Sequence, residues 1–597
     1  MRRRAPVRRD RSGAPRRSTH PTPAPLRVGP VETRVETRKT SSVLAAAPIP
    51  SLTQSSTLVS SRRRSAPASW APSPYLPSSE ATWWRRIVGR GAPTIALSLL
   101  VGLILAVAVF ARFWNLPLAP LHNDEGVNGW FVTNLLRTST WNYDPANYHG
   151  PTLFYAGLVS VMVFGLNEWG LRLVPAFFGV GVLLLVPALR RQIGRSGAVA
   201  ALLLAAVSPG LIFFSRDVIH EMLLVFFTLA FVICALRWWE SGRSRFLTGA
   251  AAMAALMFAT KETAILSFVV LGLSVVCLAI YERVAPELLG RVLPSSATPL
   301  LGRPGPGKVS AWARFGTPNQ LRRDIIEAAI IFACILIALF SSFGRNPAGL
   351  LDFFRSFTIW FSTSSATQVS GPLTYLGWLS RVELPVSLLG LLACLFVLWE
   401  ARNRFAIFTA FWGLGILAAY SLISYKTPWL MLNFVLPFTL LGGYMVGRAW
   451  SARHRLIKVL ALLVFAVALG FSGWQAGNLA FVDYDHDTNA YVYVPTDRSL
   501  LALVDYLRSE DAHLGANGQM AIVVTSPDYW PLPWYFRNDP KAGFYGHMVD
   551  AAAPIEIVKL DQVPTLSSAF TAKYKSVGQY TLRGGNELVV YIDRSLK

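Results

Sequence analysis

The stretch PTLFYAGLVSVMVFGL, residues 151–166, decides how this chain is threaded. It is apolar throughout, yet its about 16 residues fall short of the roughly 20 that a helix needs to cross a bilayer. If it lies in the interface, the Arg-bearing segments RRQIGR (190–195), RWWESGRSR (237–245), 282–323, EARNR (400–404) and GRAWSARHRLIK (447–458) all share the side of the Arg-rich N-terminus. If it crosses, RRQIGR changes side and every later loop inverts. Cytoplasmic loops are enriched in Lys and Arg, so the stretch reads as a re-entrant or interfacial helix.

Working outward, runs of spanning length lie at 92–113, 171–190, 197–214, 219–239, 246–260, 263–281, 325–343, 383–399, 404–423, 429–447 and 456–476, about 11 spans. The whole chain is 53% hydrophobic and 15% charged, against about 25% charged for a soluble domain, so it is a membrane protein. Its formal charge of +23 would suggest nucleic acid in a soluble protein. Here much of the Lys and Arg sits in the N-terminal tail and between apolar runs, where it meets anionic lipid, and no nucleic-acid partner is expected. Cys234, Cys277, Cys334 and Cys394 each lie inside an apolar run, without CxxC or Cys/His metal spacing, and read as small core hydrophobes.

Residues 1–90 are rich in Arg, Pro, Ser, Thr and Ala and cannot bury enough surface to order themselves, so a disordered basic cytoplasmic tail is expected. The run APTIALSLLVGLILAVAVFARF (92–113) begins too late and runs too long for a signal peptide, and reads as a retained first span. A transmembrane domain over 91–480 then gives way to a different composition over 481–597. There LLALVDYLRS (500–509) reads as an amphipathic helix, and MAIVVTS (520–526) and NELVVYID (586–593) as strands, giving a small extracytoplasmic α/β domain large enough for its own core. No GxxxxGK[ST] loop and no internal repeat is present, which weighs against ATP-driven transport.

With this threading, the short loops that hold NDEG, YHGP, FSRD, TKET and SYKTPW share the outer face and could line one cavity. In NDEGVNGWFVTNLLRT (123–138), Val127, Trp130, Phe131 and Leu135 recur at helical spacing, so a helix with an apolar face is expected to lie flat at the interface. Asp124 and Glu125 stand at its start, where the helix dipole favours anions. Helix capping accounts for such a pair as readily as catalysis does. Asp144, Tyr148 and His149 follow on the same loop. Arg216, Asp217, His220 and Glu221 lie in SRDVIHEM (215–222), Lys261 and Glu262 in TKET (260–263), and Lys426 in SYKTPW (424–429). Cations at span ends often only snorkel, but three on the outer face run against the positive-inside rule and suit an anionic group such as a lipid phosphate.

These residues resemble the GT-C superfamily of membrane glycosyltransferases, in the group of protein O-mannosyltransferases and aminoarabinose lipid A transferases. The resemblance rests on Asp124-Glu125 with the helix that follows, YHGPTLFY (148–155), GLRLVPAFFG (170–179), SRDVIHEMLLVFFTLA, TKET and SYKTPW. With DYWPLPWYFRN (528–538) the combination is most similar to prokaryotic membrane proteins described as flippase-activity-associated. His149-Gly150 stands where many relatives carry Lys-Pro or Pro-Pro.

The resemblance implies an all-α polytopic membrane fold with interfacial helices in the first external loop. It also implies a polyprenyl-phosphate-linked sugar donor and an acceptor, whether glycan, lipid or protein, that approaches from outside. Asp124 would deprotonate the acceptor hydroxyl and the anomeric carbon would invert. Glu125 and His149 would orient substrates, and Arg216, Lys261 and Lys426 would bind the carrier phosphate. Tyr148, Asp217, His220 and Glu262 complete the expected substrate-binding set. No cofactor is assigned, although some members of the superfamily use a divalent metal and Asp124, Asp217 and Glu221 could imitate such an acidic set. Two other classes remain open: a flippase or transporter component that binds a lipid-linked glycan without breaking a bond, and a scaffold whose Trp/Tyr-rich C-terminal domain binds partners.

Overall fold

In a computed structural model, residues 92–289, 315–363 and 370–596 are described, apart from Ala146, Tyr148, Gly515, Asn517 and 550–552. The expected tail, 1–90, lies outside them. The chain divides into two compact units, Ala24–Leu100 and a second that contains Val101–Lys597. Of the first unit only the opening turns of the helix Ala92–Phe113 are described.

The apolar runs form helices because nothing in them competes for backbone hydrogen bonds and a lipid-embedded backbone must satisfy itself. Among the described residues, six are long and apolar enough to cross a membrane: Glu168–Ile193, Glu221–Ser241, Ala264–Ala285, Arg404–Leu422, Pro428–Trp450 and Arg455–Phe481. A seventh would be the pair Arg195–Val207 and Pro209–Arg216, bent by 63°. The expected count of about 11 is therefore not reached among the described residues. Leu97–Phe113, Ser244–Phe258 and Leu384–Glu400 are apolar but shorter, and Pro318–Phe340 carries Arg322, Arg323, Asp324 and Glu327 in its first half. The deciding stretch forms the helix Thr152–Phe164, whose 13 residues rise about 20 Å at 1.5 Å each, less than the hydrocarbon thickness.

Small residues set the closest packing. Gly443 and Gly447 of the helix Leu432–Trp450 lie against Ala201 and Gly197 of Arg195–Val207, with no room for a side chain between the backbones.

The C-terminal residues build a five-stranded sheet in the order β2-β1-β3-β5-β4, from β1 (Ile522–Val524), β2 (Ala542–Phe544), β3 (Ile555–Lys559), β4 (Tyr574–Arg583) and β5 (Asn586–Asp593). β1 pairs in parallel with both β2 and β3, while β5 runs antiparallel to β3 and β4. Its apolar face does not close on itself. Ile522, Val524, Leu532, Trp534, Ile557 and Val590 belong to one continuous cluster with Leu121, Val132, Leu153 and Leu171 from the loop helices and the first long span.

That shared core fixes the loop helix Asn123–Thr138. Of the face expected from periodicity Leu135 is buried and Val127, Trp130 and Phe131 are only partly covered, while Glu125, Gly126, Asn128, Gly129, Val132 and Thr133 are buried as well. Glycine explains the difference. A Cβ on Gly126 would stand 2.5 Å from the Pro531 Cβ and 2.9 Å from its Cα, and one on Gly129 would stand 2.7 Å from the Trp534 ring. Gly126→Ala should therefore lower stability by about 1–3 kcal/mol despite alanine's better helix propensity, read as a drop in thermal unfolding temperature in detergent. An unchanged midpoint would contradict the packing.

Candidate active site

Glu125 is buried and wholly engaged. Its Oε1 accepts from Arg172 Nε at 2.7 Å and from the Val218 amide at 2.9 Å. Its Oε2 accepts from Arg172 Nη2 and from the His122 amide at 3.2 Å. Burial works to raise its pKa, but the charges and hydrogen bonds of Arg172 and His122 outweigh it and hold the carboxyl well below the usual carboxylate range. Arg172 in turn donates Nη1 to the carbonyls of Leu116 and Ala119 at 2.7 and 2.9 Å, and Nη2 to Pro120 at 3.2 Å. One buried ion pair thus ties the start of the loop helix, the turn before it, the first long span and the segment after Arg216.

His122 caps this arrangement. Its Nδ1 lies 3.2 Å from Asp217 Oδ1 and 3.4 Å from Glu125 Oε2. Burial alone would discharge the imidazole, but the two carboxylates outweigh it and raise its pKa well above the usual value, which favours the imidazolium. Burial pushes Asp217 up to about 6, against the pull of His122. Ligand atoms of His122, Glu125 and Asp217 lie within 4.8 Å of one another, a spacing that could gather a metal ion. The donors do not fit one, because the Glu125 oxygens are already filled by Arg172 and two amides, leaving two ligands beside an adjacent guanidinium.

A cavity opens at this cluster. His122, Glu125, Arg172, Arg216 and Asp217 form one wall, with Leu116, Leu118, Ala119, Pro120, Phe213 and Phe214 beside them. Trp429 and a segment that follows the last span, Tyr484, Asp485, Tyr491–Tyr493, Pro495 and Thr496, form the other. Asp124 is not among the lining residues. It is half-buried, takes a hydrogen bond from Asn123 Nδ2 at 3.0 Å, and its charge acts on Arg583 at the end of β4.

The remaining expected residues form a second polar cluster. The loop carrying His149 docks on TKET through Gly150 N to Thr260 O at 3.1 Å and Thr152 N to Ala259 O at 2.9 Å. This brings His149 Nδ1 to 3.0 Å from Glu262 Oε2 and sets its ring 4.7 Å from that of His220, the two tilted by 53°. Burial pushes His220 well below its usual pKa. Lys261 Nζ donates to Glu221 at 2.7 Å, and Asn433 Nδ2 reaches the other Glu221 oxygen at 3.2 Å. The Lys261 ammonium lies 5.9 Å from the Trp429 ring, which also lines the cavity.

Each of the three expected phosphate-binding cations has partners inside the protein. Lys426 donates to the carbonyls of Tyr420, Ser421 and Ile423 at 3.1, 2.9 and 2.6 Å, capping the C-terminal end of the helix Arg404–Leu422. Arg216 donates to the carbonyls of Ala111, Trp114 and Asn115 at 2.8, 2.7 and 3.0 Å. Tyr148 lies outside the described residues.

Sequence reading missed the groups that hold the bent pair of helices. Arg112 donates to Ala205 and Ala206, each at 3.3 Å, at the C-terminal end of Arg195–Val207. Glu383, fully buried, accepts at Oε1 from Ser208 Oγ and Gly210 N, both at 2.7 Å, and from Tyr491 Oη at 3.2 Å. A cation therefore meets the carbonyl end of one half-helix and a carboxylate the amide end of the next, each matched to the local dipole. Tyr491 lines the cavity, so this break and the site share a wall. No local signal announces a partner 175 residues away.

A family profile described as dolichyl-phosphate-mannose-protein mannosyltransferase matches residues 148–290. The fold is similar to that of ArnT from Cupriavidus metallidurans in the apo state, at 16% identity and a TM-score of 0.55, over 84% of this chain and 99% of that one. The same protein bound to undecaprenyl phosphate matches at 16% identity and a TM-score of 0.55, over 83% and 98%. An Archaeoglobus fulgidus oligosaccharyltransferase in complex with Zn and sulfate matches at 12% identity and a TM-score of 0.44, over 83% and 75%. No curated protein matches the chain. The resemblance to the GT-C membrane glycosyltransferases holds in the family region and in a mostly helical, GT-C-like fold with a small C-terminal sheet.

Proposed function

We propose that this protein is an integral membrane glycosyltransferase that moves a sugar, with inversion, from a polyprenyl-phosphate carrier to an acceptor hydroxyl at the outer face of the plasma membrane. In this reading the N-terminus is cytoplasmic and the sheet domain extracytoplasmic. The observation that carries it is the cavity in which His122, Arg172 and Arg216 meet Asp217 and Glu125 among the ends of apolar helices. The ArnT likeness, with undecaprenyl phosphate bound in one structure, supports the carrier.

Asp124 is the base. It takes the proton of the acceptor hydroxyl, the oxygen attacks the anomeric carbon, and the bond to the phosphate oxygen breaks with its electron pair leaving on the carrier. A base serves the acceptor, which fits a carboxylate beside the cavity wall and toward Arg583 rather than inside the donor chamber. Glu125 is a positioning residue that acts through Arg172. His122, kept cationic by Asp217, and the Arg172 and Arg216 guanidiniums stabilise the charge growing on the leaving phosphate. Lys261 and Lys426, engaged within the protein, add to that field. His149, His220 and Glu262 shape the neighbouring wall, and Tyr148 on the same loop is assigned with them.

Two consequences follow from Asp217 and Arg172. Asp217 supports His122 only when ionised. With its pKa raised to about 6, that form is lost as pH falls, so transfer should drop about tenfold between about pH 7 and pH 5. A flat profile would remove Asp217 from the mechanism. Because the donor set does not fit a metal, a chelator such as EDTA should leave transfer unchanged, and loss with recovery on adding a divalent ion would contradict this. The functional test is mass spectrometry of lipid-linked and surface glycans with and without the protein. The reading predicts loss of one glycosylated product and accumulation of its lipid-linked donor, and identical profiles would refute it.

A further inference from the structure

The second wall of the cavity has a chemistry of its own. It is built by a strap that joins the helix Arg455–Phe481 to the C-terminal domain. Thr496 in this strap is 2% exposed and lines the cavity, yet its Oγ1 has no hydrogen-bond partner. A buried hydroxyl left unpaired costs about 1–3 kcal/mol, which a ligand group in the cavity would recover. Asp485 also lines the wall, with the Arg498 Nε and the His486 Nε2 each 4.0 Å from its carboxylate. Tyr484 lies under the Arg498 guanidinium at 5.1 Å, and Tyr493 meets the Trp429 ring edge-on at 5.4 Å. Between Tyr493 and Pro495, Val494 holds a φ of 49°, a left-handed conformation that a β-branched residue rarely adopts and that recurs at ligand clamps.

We propose that Tyr484, Asp485, Tyr493 and Thr496 form the subsite for the sugar ring of the donor, and that this subsite holds a hydroxylated sugar by its O–H groups and its C–H face. The assignment rests on reading the donor as a polyprenyl-phosphate sugar. Aromatic edges and faces suit the C–H surface of a pyranose or furanose, while a carboxylate and a hydroxyl suit its O–H groups. The Asp485 carboxylate, with Arg498 Nε 4.0 Å away, offers lone pairs to sugar hydroxyls.

The test is binding to the purified full chain in detergent. The probes are undecaprenyl phosphate and its mannosyl, glucosyl, galactosyl and arabinosyl esters. At least one ester should bind about tenfold more tightly than the bare phosphate lipid. Thr496→Val and Asp485→Asn should each erase about five- to tenfold of that preference, with the affinity for bare undecaprenyl phosphate kept within about twofold. Thr496→Ser, which restores the hydroxyl, should recover the preference. Equal binding of all esters and the bare lipid, or equal weakening of both by the variants, overturns the assignment while the carrier reading stands. Failure of bare undecaprenyl phosphate to bind removes the carrier reading and this subsite with it.

Discussion

Arg172→Met is expected to cost about 3–5 kcal/mol of stability and to abolish transfer. The residue is 3% exposed and its partner Glu125 is 2% exposed. Without the guanidinium, a carboxylate remains in the interior with two amide donors and the His122 ring at 3.4 Å, and the carbonyls of Leu116, Ala119 and Pro120 lose their partner as well. An uncompensated buried charge is far costlier than a missing pair. Removing both charges in Glu125→Gln/Arg172→Met should therefore recover part of the stability, though not the activity, because the loop helix loses its register. Thermal unfolding in detergent measures the first effect and sugar transfer the second. A single variant within about 1 kcal/mol of wild type would show that the pair holds nothing together.

Asp124→Asn separates catalysis from scaffolding. Loss of a general base costs about 10²–10⁴ in rate, so transfer should fall by that factor. The unfolding midpoint should stay put, since Asp124 is half-buried and its carboxylate accepts one hydrogen bond, from its neighbour Asn123. Glu125→Gln should lower both rate and midpoint. If Asp124→Asn destabilises the protein and leaves the turnover of the folded fraction intact, Asp124 is a structural residue.

The contrast between these adjacent carboxylates marks how far the sequence could be read. Apolar runs announce helices because lipid leaves the backbone no other way to satisfy itself. The strand expected at 586–593 is the observed Asn586–Asp593, and the helix expected at 500–509 lies inside Ser499–His513. β2, at three residues, is too short to show a period, and β4 is broken by bulges near Gly578 and Leu582. The Gly126 and Gly129 side of the loop helix is not legible in the sequence because glycines carry no hydrophobic signal, and what they pack on, Pro531 and Trp534, lies about 400 residues away.

At the site, the residue types were visible and their partners were not. NDEG, FSRD, TKET and SYKTPW do carry the polar groups that cluster, but Lys261 and Lys426, expected to meet a phosphate, meet Glu221 and three carbonyls. Nothing in the sequence marks His122, and Arg172 stands there only as one letter of GLRLVPAFFG. Only folding sets one against Asp217 and the other against Glu125. Charge pairing across such separations is a property of the packed chain and leaves no spacing in the sequence.

The most direct test of the central claim is reconstitution. Purified protein in liposomes is given the undecaprenyl-phosphate sugar that it binds most tightly, together with glycan, lipid and peptide acceptors, and the products are resolved by mass spectrometry. The account predicts free undecaprenyl phosphate and a newly glycosylated acceptor in equal amounts, with the anomeric configuration inverted. Carrier that crosses the bilayer with its glycosidic bond intact, and no glycosylated acceptor, would contradict it.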